Sequence, residues 1–152
     1  MDYLVIDSPI GKLTLGATEK GLATIDFGII HETTAETPIL KQAREQLALW
    51  FEGKSDCKDL PLDLRGTPFQ LEVWHLMMSI GRGETKTYGE IAGELGRSGG
   101  ARAVGGACGA NPLPLIVPCH RILAEGHRLN GFAGGLEIKR MLLNLEGAQW
   151  RE

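Results

Sequence analysis

Cysteine is scarce in this chain, and the cysteines present do not form pairs. The 152 residues include only Cys57, Cys108 and Cys119, an odd number without C-x-x-C spacing. This pattern argues against a disulfide framework and against a zinc finger. We therefore expect a reducing, cytoplasmic setting and no structural metal.

Long apolar runs, targeting signals and phosphate-binding loops are also missing. No stretch approaches the roughly 20 apolar residues of a membrane helix, and the N-terminal MDYLV lacks the basic segment of a signal peptide. Gly105, Gly106 and Gly109 do not form G-x-G-x-x-G, and no G-x-x-x-x-G-K-[ST] occurs. We therefore expect no membrane association and no nucleotide or other cofactor.

Strong positive charge is absent as well. The net charge is −3, and it divides into −4 for residues 1–66 and +1 for residues 67–152. The acidic first part argues against nucleic-acid contact there. The second part permits such contact, but not a large phosphate footprint. An apolar content of 43% is ordinary for a globular protein.

Residues 1–66 have the pattern of a small sheet followed by one helix. Short apolar runs alternate with turn clusters, which predicts a β-meander. Its strands are expected at 3–6, 12–17 and 22–27. Thr37 followed by Pro38 is typical of a helix start, and apolar residues then recur along one helical face. That face comprises Leu40, Ala43, Leu47 and Trp50.

Charged residues, proline and glycine at 54–66 indicate a linker, so we divide the chain into domains 1–66 and 67–152. The second domain begins with Thr67, Pro68 and Gln70, the pattern of a capping box at a helix start. The chain closes with a predicted helix at 137–145. Its inward face is expected to comprise Ile138, Met141, Leu142 and Leu145.

Two short helices are predicted at 88–95 and 101–110, joined by a glycine-containing turn at 96–100. This pair fits a helix-turn-helix, although any αα-hairpin would have the same pattern. Three glycines in the second helix cost on the order of 1 kcal/mol each relative to alanine. Close approach of another backbone, from a protein helix or a nucleic acid, would offset that cost. Arg102 is the only charged residue on this helix.

Residues 111–121 carry three prolines and end in Cys119, His120 and Arg121. Proline fixes φ and biases the preceding residue away from helix, so an extended, rigid segment is predicted. Cys119 is then either a structural cysteine at a strand end or a nucleophile tuned by its neighbours. Spacing alone does not decide between these two interpretations.

His120 is a poor direct partner for Cys119 if the segment is extended, because adjacent side chains then point in opposite directions. A water molecule or a turn in the backbone would be needed to connect them. Asn111 could orient the segment through its amide. Glu146 could pair with His120, or it could be an ordinary exposed residue at a helix end.

Several motifs in the second half occur in a distinctive order. They are RAVGGA at 102–107, Asn111-Pro112, IVPCHRIL at 116–123, GFAGG at 131–135, and Lys139 with Leu142, Leu143, Glu146 and Gly147. In order and spacing they resemble the O6-alkylguanine-DNA alkyltransferases, also called methylated-DNA–protein-cysteine methyltransferases. The resemblance covers nearly all of residues 67–152. It implies an α/β (α+β) fold, with a small ribonuclease-H-like sheet plus helix followed by a mostly helical winged helix-turn-helix domain.

The resemblance also implies roles for individual residues. Cys119 resembles the alkyl acceptor, His120 the base that acts through a water molecule, and Glu146 the carboxylate that orients His120. Asn111 resembles the residue that braces the reactive turn. Further residues are expected to contact the substrate or the DNA. These are Tyr88, which donates to the guanine, Arg102, which fills the space left by the extruded base, and Ala101, Ala103, Gly105, Gly106, Ile122, Phe132 and Ala133.

The implied partner is double-stranded DNA carrying O6-alkylguanine, bound by a monomer with the helix at 101–110 in the minor groove. Small side chains let a helix lie deep in that groove. The chain departs from the family where Phe132 replaces a frequent tyrosine and Ala133 a serine found in some members. Cys108 stands where another residue is common, and it is either a bystander or a second, slower thiol.

Three other classes compete with this interpretation. A lesion-binding alkyltransferase-like protein would carry another residue at the position of Cys119. A winged-helix regulator would explain the helix-turn-helix, but not the glycine-rich helix. A cysteine hydrolase built from Cys119, His120 and Asn111 would turn over repeatedly, whereas an alkyl acceptor reacts once.

Overall fold

The computed structural model describes every residue except Ser98 and Gly99, and it forms two compact units, Met1–Arg65 and Gly66–Glu152. The predicted turn at 96–100 therefore lies partly outside the described residues. In the part of the chain that the structure describes, no helix is long and apolar enough to cross a membrane.

The first unit is a three-stranded antiparallel meander covered by one helix. Strands β1 (Asp2–Ile6), β2 (Leu13–Ala17) and β3 (Leu22–Phe27) pair in chain order, and α1 (Pro38–Phe51) packs against them. The Thr37 side chain caps α1, as its sequence predicts. All four residues of the predicted helix face are buried: Leu40, Ala43, Leu47 and Trp50. The sheet-plus-helix prediction is confirmed.

The second unit is mostly helical. Its helices are α2 (Pro68–Met78), α3 (Tyr88–Glu94), α4 (Ala101–Gly109) and α5 (Leu136–Leu145), and its short strands are β4 (Lys86–Thr87) and β5 (Ile122–Leu123). The predicted capping box is present, because the Thr67 hydroxyl accepts from the Gln70 N–H at 3.1 Å and Gln70 Oε1 accepts from the Thr67 N–H at 2.9 Å. Helices α3 and α4 pack against each other, as in a helix-turn-helix.

The inner face of α4 is fixed by α2. The Trp74 indole N–H donates to the carbonyl oxygen of Ala107 at 2.8 Å, and Val104 and Ala107 are buried. A buried indole needs such a partner, because an unpaired N–H would cost free energy. This contact turns the opposite face of α4 outward.

The predicted inward face of α5 is confirmed at Leu142 and wrong at Met141 and Leu145, and Ile138 is half-buried. Met141 and Leu145 are each 43% exposed, whereas Lys139, Leu142 and Leu143 are buried. The helix is rotated relative to its apolar residues because Lys139 finds polar partners inside the protein, and a buried charge is tolerated when it is hydrogen-bonded.

Candidate functional site

Residues 111–118 form a compact turn and not the extended segment that the prolines suggested. The Asn111 side chain closes this turn, since Oδ1 accepts from the Leu113 N–H and Nδ2 donates to the Val117 carbonyl, both at 2.9 Å. The Val117 N–H donates to the Leu113 carbonyl at 2.8 Å, and Leu115 has a φ of +78°. The prediction failed because the fixed φ of proline is compatible with turns as well as with strands.

Cys119 begins a 3₁₀ turn, Cys119–Arg121, directly after this segment. Its side chain is buried, and burial raises the pKa of the thiol. Hydrogen bonding from Asn111, the positive charge of Lys139 and the backbone N–H groups of Cys119 and His120 oppose that rise. Because the effect of burial is larger, the resting thiol is protonated, but it lies beside groups that stabilise its anion.

His120 and Glu146 form a buried pair. His120 Nε2 lies 3.1 Å from Glu146 Oε2, and both side chains are fully buried. Arg121 holds the same carboxylate in a bidentate contact, with Nε at 2.9 Å and Nη2 at 2.6 Å, and its Nη1 donates to the Ile80 carbonyl at 2.6 Å. Glu146 is therefore a partner of His120 and not an exposed helix-end residue.

The charges in this cluster determine which ring nitrogen of His120 carries the proton. Burial alone would raise the pKa of Glu146, but hydrogen bonds from His120 and Arg121 outweigh it and lower that pKa to about 2. Burial lowers the pKa of His120, against the opposing effect of Glu146, so the imidazole is neutral at pH 7. Because an ionised carboxylate only accepts, the single proton lies on Nε2 and Nδ1 is the basic nitrogen.

A second group of hydrogen-bonded polar side chains lies in the same unit and links Lys139, Asn130 and Tyr88. Lys139 Nζ donates to the carbonyl of Ile122 at 2.7 Å, to Oδ1 of Asn130 at 3.0 Å and to the carbonyl of Gly131 at 3.4 Å. Asn130 Nδ2 in turn donates to the Tyr88 hydroxyl oxygen at 2.7 Å. Burial lowers the pKa of Lys139 to about 8 and raises that of Tyr88.

Lys139 and Tyr88 are coupled electrostatically to the Cys119 thiol. The Lys139 charge lowers the pKa of the Cys119 thiol, and thiolate charge at Cys119 contributes to the raised pKa of Tyr88. Interactions between charges are stronger in a poorly solvated site than in water. The protonation states of Cys119, Lys139 and Tyr88 are therefore coupled.

The outer face of α4 carries the predicted DNA-binding residues. Arg102, Ala103 and Gly106 are exposed, and Ala101 and Gly105 are half-buried. A Cβ built on Gly105 would lie 3.9 Å from the Tyr88 ring, whereas a Cβ on Gly106 would have no neighbour within 4 Å among the described residues. Packing within the described part of the chain therefore does not explain the small residue at Gly106.

The remaining predicted contacts are spread over the loop before α5 and strand β5. Phe132 is half-buried and Ala133 is exposed. Ile122 has no exposed surface, and its carbonyl accepts a hydrogen bond from Lys139 Nζ. Cys108 is partly buried with Sγ 3.7 Å from Met77 Sδ, and burial raises the pKa of its thiol to about 12.

Sequence reasoning treated Arg121 only as a neighbour that could tune the Cys119 thiol, and it gave no role at this site to Lys139 or Asn130. A signal for Lys139 existed, because Lys139, Leu142 and Glu146 share one helical stripe at intervals of three and four. Among the described residues, no group of three or more His, Cys, Asp and Glu side chains is arranged to hold a metal ion.

Comparison with known proteins gives concordant matches over both units. Residues 1–64 match the ribonuclease-like domain of 6-O-methylguanine DNA methyltransferase, and residues 68–148 match the DNA-binding domain of the same protein. The chain is 45% identical over 150 residues to the methylated-DNA–protein-cysteine methyltransferase of Mycobacterium bovis, covering 95% of this chain and 91% of that protein.

Similar proteins also occur in archaea and among solved structures. The methylated-DNA–protein-cysteine methyltransferase of Methanosarcina barkeri is 42% identical over 154 residues, covering 96% of this chain and 97% of that protein. The crystal structure of Mycobacterium tuberculosis OGT in complex with DNA superposes with a TM-score of 0.86 at 43% identity. It covers 97% of this chain and 93% of that chain.

Proposed function

The chain belongs to the 6-O-methylguanine DNA methyltransferase family, and from this premise we propose that it repairs DNA by transferring an alkyl group from O6 of guanine to Cys119. The observation that carries the assignment is the geometry around this thiol. Cys119 lies in a braced, buried turn beside a histidine whose Nε2 is held by a carboxylate. That arrangement is suited to activating one nucleophile.

The first step is extraction of the damaged base, because O6-alkylguanine cannot be attacked inside the base stack. Flipping costs a few kcal/mol, and less for a weakly paired base. We propose that α4 lies in the minor groove with Ala103 and Gly106 against the DNA. Arg102 then occupies the space that the base leaves.

The second step is displacement at the alkyl carbon. His120 Nδ1 takes the thiol proton through a water molecule, and Glu146 stabilises the imidazolium that forms. The Cys119 sulfur forms a bond to the alkyl carbon as the bond from that carbon to O6 breaks. The bonding electrons leave with guanine, and the Tyr88 hydroxyl donates a hydrogen bond to this anion.

The product is a thioether on Cys119. Among the described residues, no group of the site could cleave a thioether, so each monomer reacts once. The reaction also requires Cys119 as a reduced thiol, which supports a reducing, cytoplasmic location for the protein. O4-alkylthymine presents a similar alkyl–oxygen bond and is a second candidate substrate.

Intact-mass spectrometry tests the proposal directly. After incubation with duplex DNA containing O6-methylguanine, we expect every molecule to gain one methyl group in place of a hydrogen. Cys119→Ser is expected to abolish the gain, and Cys108→Ser, which alters the neighbouring thiol, is expected to retain it.

Three outcomes would count against this function. Lesion binding without a mass gain would indicate a binding protein or a regulator. More than one product per molecule would indicate a hydrolase. A mass gain that persists in Cys119→Ser would move the acceptor to another residue.

A further inference from the structure

We propose that Asn130 is a positioning residue that sets the direction of the Tyr88 hydroxyl proton and so keeps it available for the departing guanine. This inference rests on the proposed function, because Tyr88 must donate to the base for its direction to matter. Asn130 itself need not touch the DNA. It acts through the oxygen of Tyr88.

The argument begins at Lys139, whose side chain has no exposed surface. A lysine ammonium group can donate three hydrogen bonds and can accept none. Its three acceptors are the carbonyl oxygens of Ile122 and Gly131 and Oδ1 of Asn130. Because only an oxygen can face the ammonium, the Asn130 amide cannot be reversed without placing two donors against each other.

The orientation of Asn130 then determines that of Tyr88. With Oδ1 directed at Lys139, the amide nitrogen faces the tyrosine oxygen at 2.7 Å. An amide nitrogen only donates, so the Tyr88 oxygen accepts in this contact and its own O–H hydrogen points elsewhere. The charge on Lys139 therefore determines the direction of the hydrogen bonds that run from Lys139 through Asn130 to Tyr88.

This direction has a chemical consequence. Hydrogen bonds that run the same way polarise one another, which makes the terminal O–H a better donor. Burial raises the pKa of Tyr88, so the hydroxyl keeps its proton and serves as a neutral donor at working pH. A donor already aimed at the developing anion stabilises the transition state without reorganisation.

Asn130→Asp reverses the hydrogen bond between residue 130 and Tyr88 with little change in the shape of the side chain. The carboxylate still accepts from Lys139, but it can no longer donate to Tyr88. The tyrosine then turns its O–H toward the new carboxylate and loses its contact with guanine. We expect the single-turnover rate at saturating DNA to fall at least tenfold, with the half-saturating DNA concentration changed less than twofold.

A double-mutant cycle separates this effect from the added charge. In the Tyr88→Phe background there is no hydroxyl to redirect, so Asn130→Asp is expected to cost less than threefold there. Asn144→Asp, an exposed change of the same charge on α5, is expected to leave the rate within twofold. Thermal unfolding of each variant checks that the fold is retained.

These measurements also distinguish failure of the role of Asn130 from failure of the proposed alkyl transfer to Cys119. Equal fold losses from Asn130→Asp in the wild-type and Tyr88→Phe backgrounds would overturn the role of Asn130 while alkyl transfer stands. A wild-type protein that transfers no alkyl group to Cys119 would overturn the proposed function itself. A loss confined to DNA affinity would make Asn130 a binding residue and contradict the inference.

Discussion

Replacing Glu146 by glutamine tests the buried cluster in a quantitative way. The carboxylate accepts from His120 at 3.1 Å and from Arg121 at 2.6 and 2.9 Å. An amide keeps one oxygen but places an NH₂ group against one of these donors. His120 and Arg121 then remain buried with too few acceptors.

The pKa of Glu146 sets the expected magnitude. A shift from the ordinary value of 4.5 to about 2 corresponds to roughly 3 kcal/mol of folding stability at neutral pH. Because this pKa is lowered in the folded state, the contribution is fully present above about pH 5 and is lost as the pH falls toward 2. Removing one partner of a buried pair typically costs a similar ~3–5 kcal/mol.

Urea unfolding followed by tryptophan fluorescence measures this difference. At pH 7 we expect Glu146→Gln to lower the free energy of unfolding by about 3 kcal/mol. The gap from wild type should narrow steadily between pH 5 and pH 3. Glu72→Gln, an exposed change of the same kind on α2, is expected to stay within ±0.5 kcal/mol of wild type.

The same variant tests the role of Glu146 in catalysis. Loss of the carboxylate removes the stabilisation of the His120 imidazolium, so we expect the single-turnover rate to fall by about 10²- to 10⁴-fold. A pH-independent stability gap, or a variant as stable as wild type, would refute the electrostatic account of the cluster. A variant that is destabilised but fully active would refute the role of Glu146 in orienting the base.

Three further predictions concern α3 and α4. Arg102→Ala is expected to slow repair of O6-methylguanine in duplex DNA more than reaction with free O6-benzylguanine, and equal losses on both substrates would exclude a role in base flipping. Gly106→Leu is expected to stabilise α4 by roughly 0.5–1 kcal/mol while weakening duplex repair; unchanged repair kinetics would place this face away from DNA. Thr87→Ala removes the hydroxyl that accepts from the Glu90 N–H at 3.1 Å. It is expected to lower the thermal and urea stability by about 1 kcal/mol, and no measurable loss would show that the cap is dispensable.

Local interactions could be predicted from the sequence because they depend on residues close together in the chain. Thr67 and Gln70 form their capping box through atoms three residues apart. The strands of the first unit follow from turn residues and short apolar runs, and the buried face of α1 follows from its periodicity. In each case the determining contact is local or is repeated along one element.

The site depended more on long-range contacts. Glu146 approaches His120 from 26 residues away, and Asn130 approaches Tyr88 from 42 residues away. The sequence alone left Glu146 as either a partner of His120 or an ordinary exposed residue at a helix end, and only the family resemblance favoured the partner. Asn130 carried no local pattern that would indicate its partner.

The sequence by itself therefore determined the helices, the small sheet and the identity of Cys119 as the residue to examine. Tertiary structure decided the rest: the turn that Asn111 closes, the rotation of α5 that buries Lys139, and the direction of the hydrogen bonds reaching Tyr88. The physical reason is that buried polar groups require partners, and those partners can be identified only when distant parts of the chain come together.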